Sequence, residues 1–345
     1  MRKLRKALLV TGTAIAMMAG LAGCGNSTAE DTTTSVETTA AENTDDTAEA
    51  TENDAAEVVG GTEDVGTEGD ADVSETVYPV DITDSNGDVI TIESEPEKVV
   101  SVAPNLTELI YELGAEDKLV GRSDYCDYPA EVSEVTSVGT IYEPNIETII
   151  EMEPDVVVVS THFDDENTAK LEELGIPVVT LYEETNVEGV YDMITTFGTL
   201  INKNAEATQC IADMQDTIAD VEAKVDGLDK PTVYYVVGYG EYGDYTATGE
   251  TFIAGMIDIA GGDNIAKDAT GWSYSLESLI EADPDIIVIS EYSKDDFMSQ
   301  EAYAELSAVQ NGNVYTLDTN MLDRQGYRNA EGILELAKIF HPEAF

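Results

Sequence analysis

Asn145-Ile-Glu-Thr-Ile-Ile-Glu-Met-Glu-Pro-Asp-Val-Val-Val-Val-Ser160 is matched, 130 residues further on, by Ser275-Leu-Glu-Ser-Leu-Ile-Glu-Ala-Asp-Pro-Asp-Ile-Ile-Val-Ile-Ser290. Each copy reads as a short helix, a Pro-Asp turn and a strand whose unbroken apolar run marks burial on both faces. One copy says little, because helix, turn and strand follow one another in many α/β folds. Two copies predict two similar lobes. Between them, Ile211, Met214, Ile218, Val221 and Val225 recur at spacings of three and four, with no Gly or Pro from Asn204 to Val225. That pattern predicts one long amphipathic helix between the lobes.

Working outward, strands and helices alternate. Lys98–Ala103, Val156–Ser160 and Pro177–Tyr182 read as strands, and Pro104–Gly114 and Ala169–Gly175 as helices stopped by glycine. Strands resume at Thr232–Val237. The alternation predicts parallel sheets with helices on their faces. Before it, Val80–Ile92 alternates around Asn86-Gly87 and reads as a hairpin. The expected fold class is α/β, with two Rossmann-like lobes joined by a single long rigid helix. The expected segments are an N-terminal lobe over 77–190, a connecting helical segment over 191–228 and a C-terminal lobe over 229–345.

The N-terminus reads differently. Arg2, Lys3, Arg5 and Lys6 precede an apolar run from Ala7 to Ala22 that ends in Leu21-Ala22-Gly23-Cys24. The run is too short for a comfortable membrane span and reads as a signal peptide over 1–24. Its end resembles a bacterial lipobox, which implies cleavage before Cys24, a lipid on its sulfur and an extracytoplasmic protein tethered to the cell membrane. Residues 25–76 hold no Lys, Arg, Phe, Trp or Tyr and are rich in Thr, Ala, Glu and Asp. Such a segment cannot bury enough apolar surface to order itself, so a disordered acidic tether is expected.

The chain carries 16 Lys+Arg against 71 Asp+Glu. Loss of the four N-terminal basic residues leaves 12 against 71, a net charge of −59. Such a surface repels nucleic acid. Cys126 and Cys210 match no metal or redox spacing, and His162 and His341 are the only histidines. A bare-metal receptor needs several imidazoles and carboxylates in one place, so no metal site and no cofactor are expected. No Walker A, HExxH or nucleophile triad pattern is present, and an enzyme is not expected. Gly238-Tyr-Gly-Glu-Tyr-Gly243 satisfies GxGxxG, but no helix follows at once, so dinucleotide binding is not expected.

Several segments, taken together, resemble the iron-siderophore and cobalamin branch of ABC-transporter substrate-binding proteins: Val99–Leu109, Val120–Pro129, Gly139–Ile149, Pro154–Val158, and Thr248–Ile253 running to Ala260–Ile265. The likeness covers roughly Val77 to Phe345. It implies capture of a metal chelate, a corrinoid or ferric siderophore, between the lobes and outside the carboxyl ends of the strands. It implies delivery to an ABC permease and its ATPase, by what is expected to be a monomer. A haem receptor of the same family and a chelatase-like tetrapyrrole enzyme are the alternatives.

Candidate site residues follow from both readings. Glu147 and Glu277 hold the same place in the two repeats, and the resemblance makes them the pair that docks on permease arginines. Their plainer reading is two exposed helix acids. Beyond the signal the only arginines are Arg122, Arg324 and Arg328. Arg324, with Arg328, is a candidate for anionic groups of the ligand, against a structural ion pair. Tyr125, Tyr142, Tyr239, Tyr242 and Trp272 lie in loops where rings could hold a broad ligand, although about half of such rings serve packing or the rim. The resemblance assigns Tyr125 to the cleft and puts Asn320 where relatives carry an aspartate. Trp272 sits one position from the family's C-lobe tryptophan, and Ile141 takes the place of its N-lobe one, which leaves the ligand open. His162 follows a strand and is a candidate metal-facing group or a polar loop residue.

Overall fold

The computed structural model describes residues 75–183 and 186–345, all within one compact unit. The expected signal peptide, Cys24 and nearly all of the tether lie outside the described residues. The body engages the chain from Thr76, whose N–H donates to Asn202 Oδ1 at 2.8 Å and whose hydroxyl donates to the Thr199 carbonyl at 3.0 Å.

The hairpin forms from β1 (Val80–Thr83) and β2 (Val89–Ile92), antiparallel. Its connection is a five-residue loop, not a tight turn on Asn86-Gly87, because Thr83 pairs with Val89. Asp84 knits that loop: its Oδ1 accepts from the N–H groups of Asn86 and Asp88, each at 2.9 Å. Gly87 takes φ +86° there, a conformation that favours glycine.

Two sheets follow, built alike. The first holds β3 (Val99–Ser101), β4 (Leu119–Arg122), β5 (Val156–Val159) and β6 (Val178–Thr180), all parallel, in the order β4-β3-β5-β6. The second holds β7 (Thr232–Gly238), β8 (Tyr245–Thr246), β9 (Asp263–Asn264), β10 (Ile286–Ser290) and β11 (Val314–Leu317). Here β9, β7, β10 and β11 repeat the first sheet's order in parallel pairs. Antiparallel β8 takes the far end of β7. The repeat seen in sequence is therefore one half of a larger one.

The Pro-Asp turn has a physical role in both copies. Asp155 Oδ2 accepts from the N–H groups of Glu97 and Lys98, each at 2.9 Å, where the chain enters β3. Asp285 Oδ2 accepts from the Thr232 N–H at 2.9 Å and its hydroxyl at 2.7 Å, at the start of β7. One carboxylate thus ties two adjacent strands in register. Asp155→Ala and Asp285→Ala are each expected to lower unfolding free energy by about 1–2 kcal/mol, read from urea denaturation.

Strand alternation sorts side chains between three cores. Val156 and Val158 of β5, and Ile286 and Val288 of β10, face a central core shared by both sheets. Val157 and Val159 face an outer core with α2 (Ile146–Glu151) and α3 (Asp165–Glu172). Ile287 and Ile289 face a second outer core that includes Leu279 of α7 (Leu276–Ala282), Phe297 of α8 (Lys294–Ser299) and Ala308 of α9 (Ser307–Asn311).

The central core is filled by α1 (Pro104–Glu112), α4 (Val187–Leu200), α5 (Asn204–Val225), α6 (Phe252–Ile259) and α11 (Asn329–Phe340). The long helix is thus present over the expected span, packed between α4 and α11. Its buried stripe is Ala207, Cys210, Met214, Ile218 and Val221, with Ile211 and Val225 at the margins. The expected connecting segment over 191–228 holds two packed helices, α4 and α5, and α4 begins before it, at Val187. This continuity opposes a hinge rotation between the sheets, which would expose apolar surface at about 25 cal/mol per Å². Cys126 and Cys210 are both free and buried, and burial pushes the Cys210 thiol up to about 12. No described helix is long and apolar enough to cross a membrane.

Candidate functional site

The carboxyl ends of the strands in both sheets converge on two chambers. The first, 530 Å³, is walled by Val102 to Asn105 beyond β3, by Ser160 to Phe163 beyond β5, by Tyr125, Ile141 and Tyr142, and by Asn320 and Asp323 to Gln325 from the second half of the chain. The second, 500 Å³, is walled by Ser290 to Tyr292 at the end of β10, Leu317 to Asn320 at the end of β11, Arg328, and Asp127 and Tyr128 from the first half. Asn320, first residue of the short α10 (Asn320–Asp323), lines both. This is the strand-end crevice that α/β folds use for ligands. A chamber of 570 Å³ lies instead beside the hairpin, walled by residues such as Asp84, Asp165 and Glu172, with no residue of the second sheet.

Aromatic rings line the first chamber in a chain of edge-to-face contacts. Tyr142 stands 6.2 Å from Tyr125 and 5.1 Å from His162, centroid to centroid. All three are exposed. The Thr161 hydroxyl lies 3.0 Å from His162 Nδ1. Tyr128 of the second chamber covers Arg328, whose guanidinium carbon is 4.1 Å from the ring centroid. Tyr292 is 92% exposed at the same mouth.

The floor is ionic. Arg324 Nη1 donates to Glu108 Oε1 at 2.6 Å and to Asp127 Oδ1 at 2.7 Å, and Nη2 donates to the Tyr125 carbonyl at 3.3 Å. Arg328 Nη2 donates to Asp318 Oδ2 at 2.7 Å, and its Nη1 lies 3.7 Å from Glu108. Glu108 is nearly enclosed, with 4% of its side chain exposed, whereas Asp127 has 60% exposed. Burial pushes the Glu108 carboxyl above the usual carboxylate range despite the pull of Arg324. Burial also acts upward on Asp318, but the hydrogen bonds from Arg328 and the Asn320 N–H outweigh it and hold that carboxyl low. Asp323 opens into the first chamber yet is ringed by protein, and that desolvation raises it although the Tyr235 hydroxyl donates to it at 3.1 Å. Asn105 adds a neutral tie, its Nδ2 donating to the Gln325 carbonyl at 2.9 Å.

The structure therefore brings Tyr125, Tyr142, His162, Asn320, Arg324 and Arg328 together at the two chambers. Tyr239, Tyr242 and Trp272 line neither. Tyr239 packs edge-on to Phe297 at 5.2 Å, its hydroxyl donating to Asp296 at 2.9 Å. Tyr242 is 86% exposed at a loop tip. Trp272 holds φ +64°, costly for a bulky residue. It is pinned by its N–H to Thr248 Oγ1 at 3.1 Å and by its carbonyl, which accepts from the Thr246 N–H at 2.8 Å. Trp272 and Tyr142 each stand three residues before the capping residue of their repeat. Those caps are Asn145, accepting from the Thr148 N–H at 3.1 Å, and Ser275, accepting from the Ser278 N–H at 3.0 Å. Glu147 and Glu277 follow them as exposed acids in the first turns of α2 and α7.

Glu108, Asp127, Asp318 and Asp323 went unread in the sequence. Among 71 acids nothing marks these four. The one usable signal was the scarcity of arginine, which flags Arg324 and Arg328 but not their partners. No group of His, Cys, Asp and Glu among the described residues is arranged to hold a metal ion.

Comparison with known proteins accords with this architecture. The family model described as periplasmic binding protein matches residues 99–321. The uncharacterized ABC transporter substrate-binding lipoprotein YvrC of Bacillus subtilis (strain 168) is 31% identical over 276 residues, covering 78% of this chain and 88% of YvrC. A cobalamin-binding protein of Halobacterium salinarum is 33% identical over 280 residues, covering 76% of this chain and 74% of that protein. The periplasmic vitamin B12 binding protein BtuF of Vibrio cholerae superposes with a TM-score of 0.61 at 25% identity, covering 72% of this chain and 98% of BtuF. The chain belongs to the periplasmic binding protein family.

Proposed function

We propose that this protein is an extracytoplasmic receptor that captures a metal chelate, a corrinoid or a ferric siderophore, between its two sheets and presents it to an ABC permease. The observation that carries the reading is the pair of chambers meeting at Asn320, lined by exposed rings on the first half of the chain and by loops of both halves. Broad ligands are held by such surfaces, because rings bury large area at little entropic cost. Tyr142 is the proposed aromatic wall of the first chamber, and Trp272, its equivalent in the second repeat, is the proposed ring at the outer rim beyond both chambers. His162 is the proposed axial or polar contact, and Asn320 the hydrogen-bonding group between the chambers. The names of YvrC and of the cobalamin-binding relatives support both the transport role and a corrinoid ligand. A lipid on Cys24 is the proposed anchor, and a monomer the proposed state. Binding without turnover is expected.

Fluorescence titration of the purified chain tests this, since Trp272 is its single tryptophan. Cyanocobalamin, cobinamide, ferric siderophores and haemin are the probes. Saturable quenching by a corrinoid or siderophore at one-to-one stoichiometry supports the reading; failure of every probe to bind defeats it. Tyr142→Ala is expected to weaken the bound probe about tenfold to thirtyfold, as for a central aromatic contact.

A further inference from the structure

We infer that the cleft selects chelates of zero or positive net charge and turns anionic chelates away. The inference rests on the receptor reading above and narrows its ligand class by charge. At first sight two arginines in a cleft suit an anionic guest. Here each fork already holds a carboxylate. Arg324 spends one terminal nitrogen on two carboxylates, Glu108 at 2.6 Å and Asp127 at 2.7 Å, and the other on a carbonyl at 3.3 Å. Arg328 gives Nη2 to Asp318 at 2.7 Å, and its face is covered by Tyr128 at 4.1 Å. Its Nε and Nη1 lack hydrogen-bond partners, but both are enclosed and reach no ligand without a rearrangement.

The remaining charge on the walls is negative. No lysine lines either chamber. Asp323 opens into the first, and Asp127, Glu291 and Asp318 into the second. Two guanidinium groups thus face four wall carboxylates, with Glu108 beneath them, inside a chain of net charge −55. A concave site with low-dielectric walls concentrates that potential. An anion entering it meets walls whose carboxylates outnumber the guanidinium groups, and both arginines already hold carboxylates. A cation gains what the anion loses. The expected discrimination is about tenfold per unit of ligand charge, at the effective dielectric of a solvated cleft.

Matched ligands isolate charge from shape. Ferrioxamine B carries an ammonium that its N-succinyl derivative replaces with a carboxylate, on one ferric trihydroxamate. Cyanocobalamin and its monocarboxylic acid differ by one negative charge on one corrin. Equilibrium dialysis of the full chain against each pair, at low and physiological salt, reads the difference. The siderophore pair is expected to differ by about 100-fold and the corrinoid pair by about tenfold, the less anionic member binding tighter, with both gaps shrinking as salt rises. The double variant Asp127→Asn with Glu291→Gln is expected to narrow the gap by about tenfold for whichever pair binds. Equal or tighter binding of the more anionic member overturns the charge rule and leaves the receptor standing. Binding of neither scaffold, together with no binding of haemin, overturns the receptor and the rule with it.

Discussion

Glu108→Ala is expected to lower the unfolding free energy by about 3 kcal/mol, the largest loss from any single substitution at the cleft floor. Glu108 sits on α1, while Arg324 and Arg328 lie beyond β11. Its Oε1 lies 2.6 Å from Arg324 Nη1 and 3.7 Å from Arg328 Nη1. Removing one partner of a buried ion pair leaves a charge desolvated and uncompensated, which costs about 3–5 kcal/mol. The lower end applies here, because Asp127 and Asp318 retain contacts with the arginines. Against the 5–15 kcal/mol typical of a folded domain, that loss shifts the urea midpoint visibly at unchanged slope. A midpoint within error of the parent protein would show that Glu108 does not hold the floor together. Arg324→Gln completes the comparison. If Arg324 is a counter-ion between halves of the chain, this variant loses stability yet keeps its affinity for a neutral chelate.

The double variant Glu147→Ala with Glu277→Ala is expected to cut uptake by at least about tenfold while leaving ligand affinity unchanged. Both acids are exposed, each in the first turn of a helix whose preceding residue caps it, and they occupy equivalent places in the two halves. A carboxylate on each half gives a two-point clamp, and one point alone leaves the receptor free to pivot over its permease. Truncating one partner of an interfacial charge pair typically costs about 2–5 kcal/mol. Radiolabelled-ligand uptake by cells, set beside a binding titration of the purified variant, separates the two quantities. Full uptake by the double variant would remove these residues from the docking surface. Lost ligand affinity would place them instead in the cleft or in folding.

The sequence carried the architecture because its markers are local and periodic. The apolar runs at Val156 and Ile286, the spacing through Met214 and the glycines closing α1 and α3 each report an element directly. The pairing of the sheets was half visible: the α2–β5 and α7–β10 repeat could be read, but β9 is two residues long and has no periodicity to read. The cleft was less legible. Tyr125 and His162 follow strands at their carboxyl ends and Tyr142 precedes the first repeat, and all three line the first chamber. Tyr239 also follows a strand, yet it turns into the outer core, where Phe297 and Tyr303 receive it. Which side of a loop a ring takes is a packing outcome without sequence periodicity. The ionic floor was invisible for a different reason. Glu108 lies among six consecutive buried residues of α1, and burial of a carboxylate there depends on arginines more than two hundred residues away.

The most direct measurement is hydrogen–deuterium exchange of the full chain with and without cyanocobalamin, or with whichever matched chelate binds tighter. If the guest lies between the sheets, protection rises in three separate stretches: 123–129, 160–163 and 318–325. Residues 84–90, which line the hairpin chamber and neither cleft chamber, stay unchanged. Protection confined to the hairpin side, or to one sheet alone, would contradict a receptor that grips its ligand between two halves.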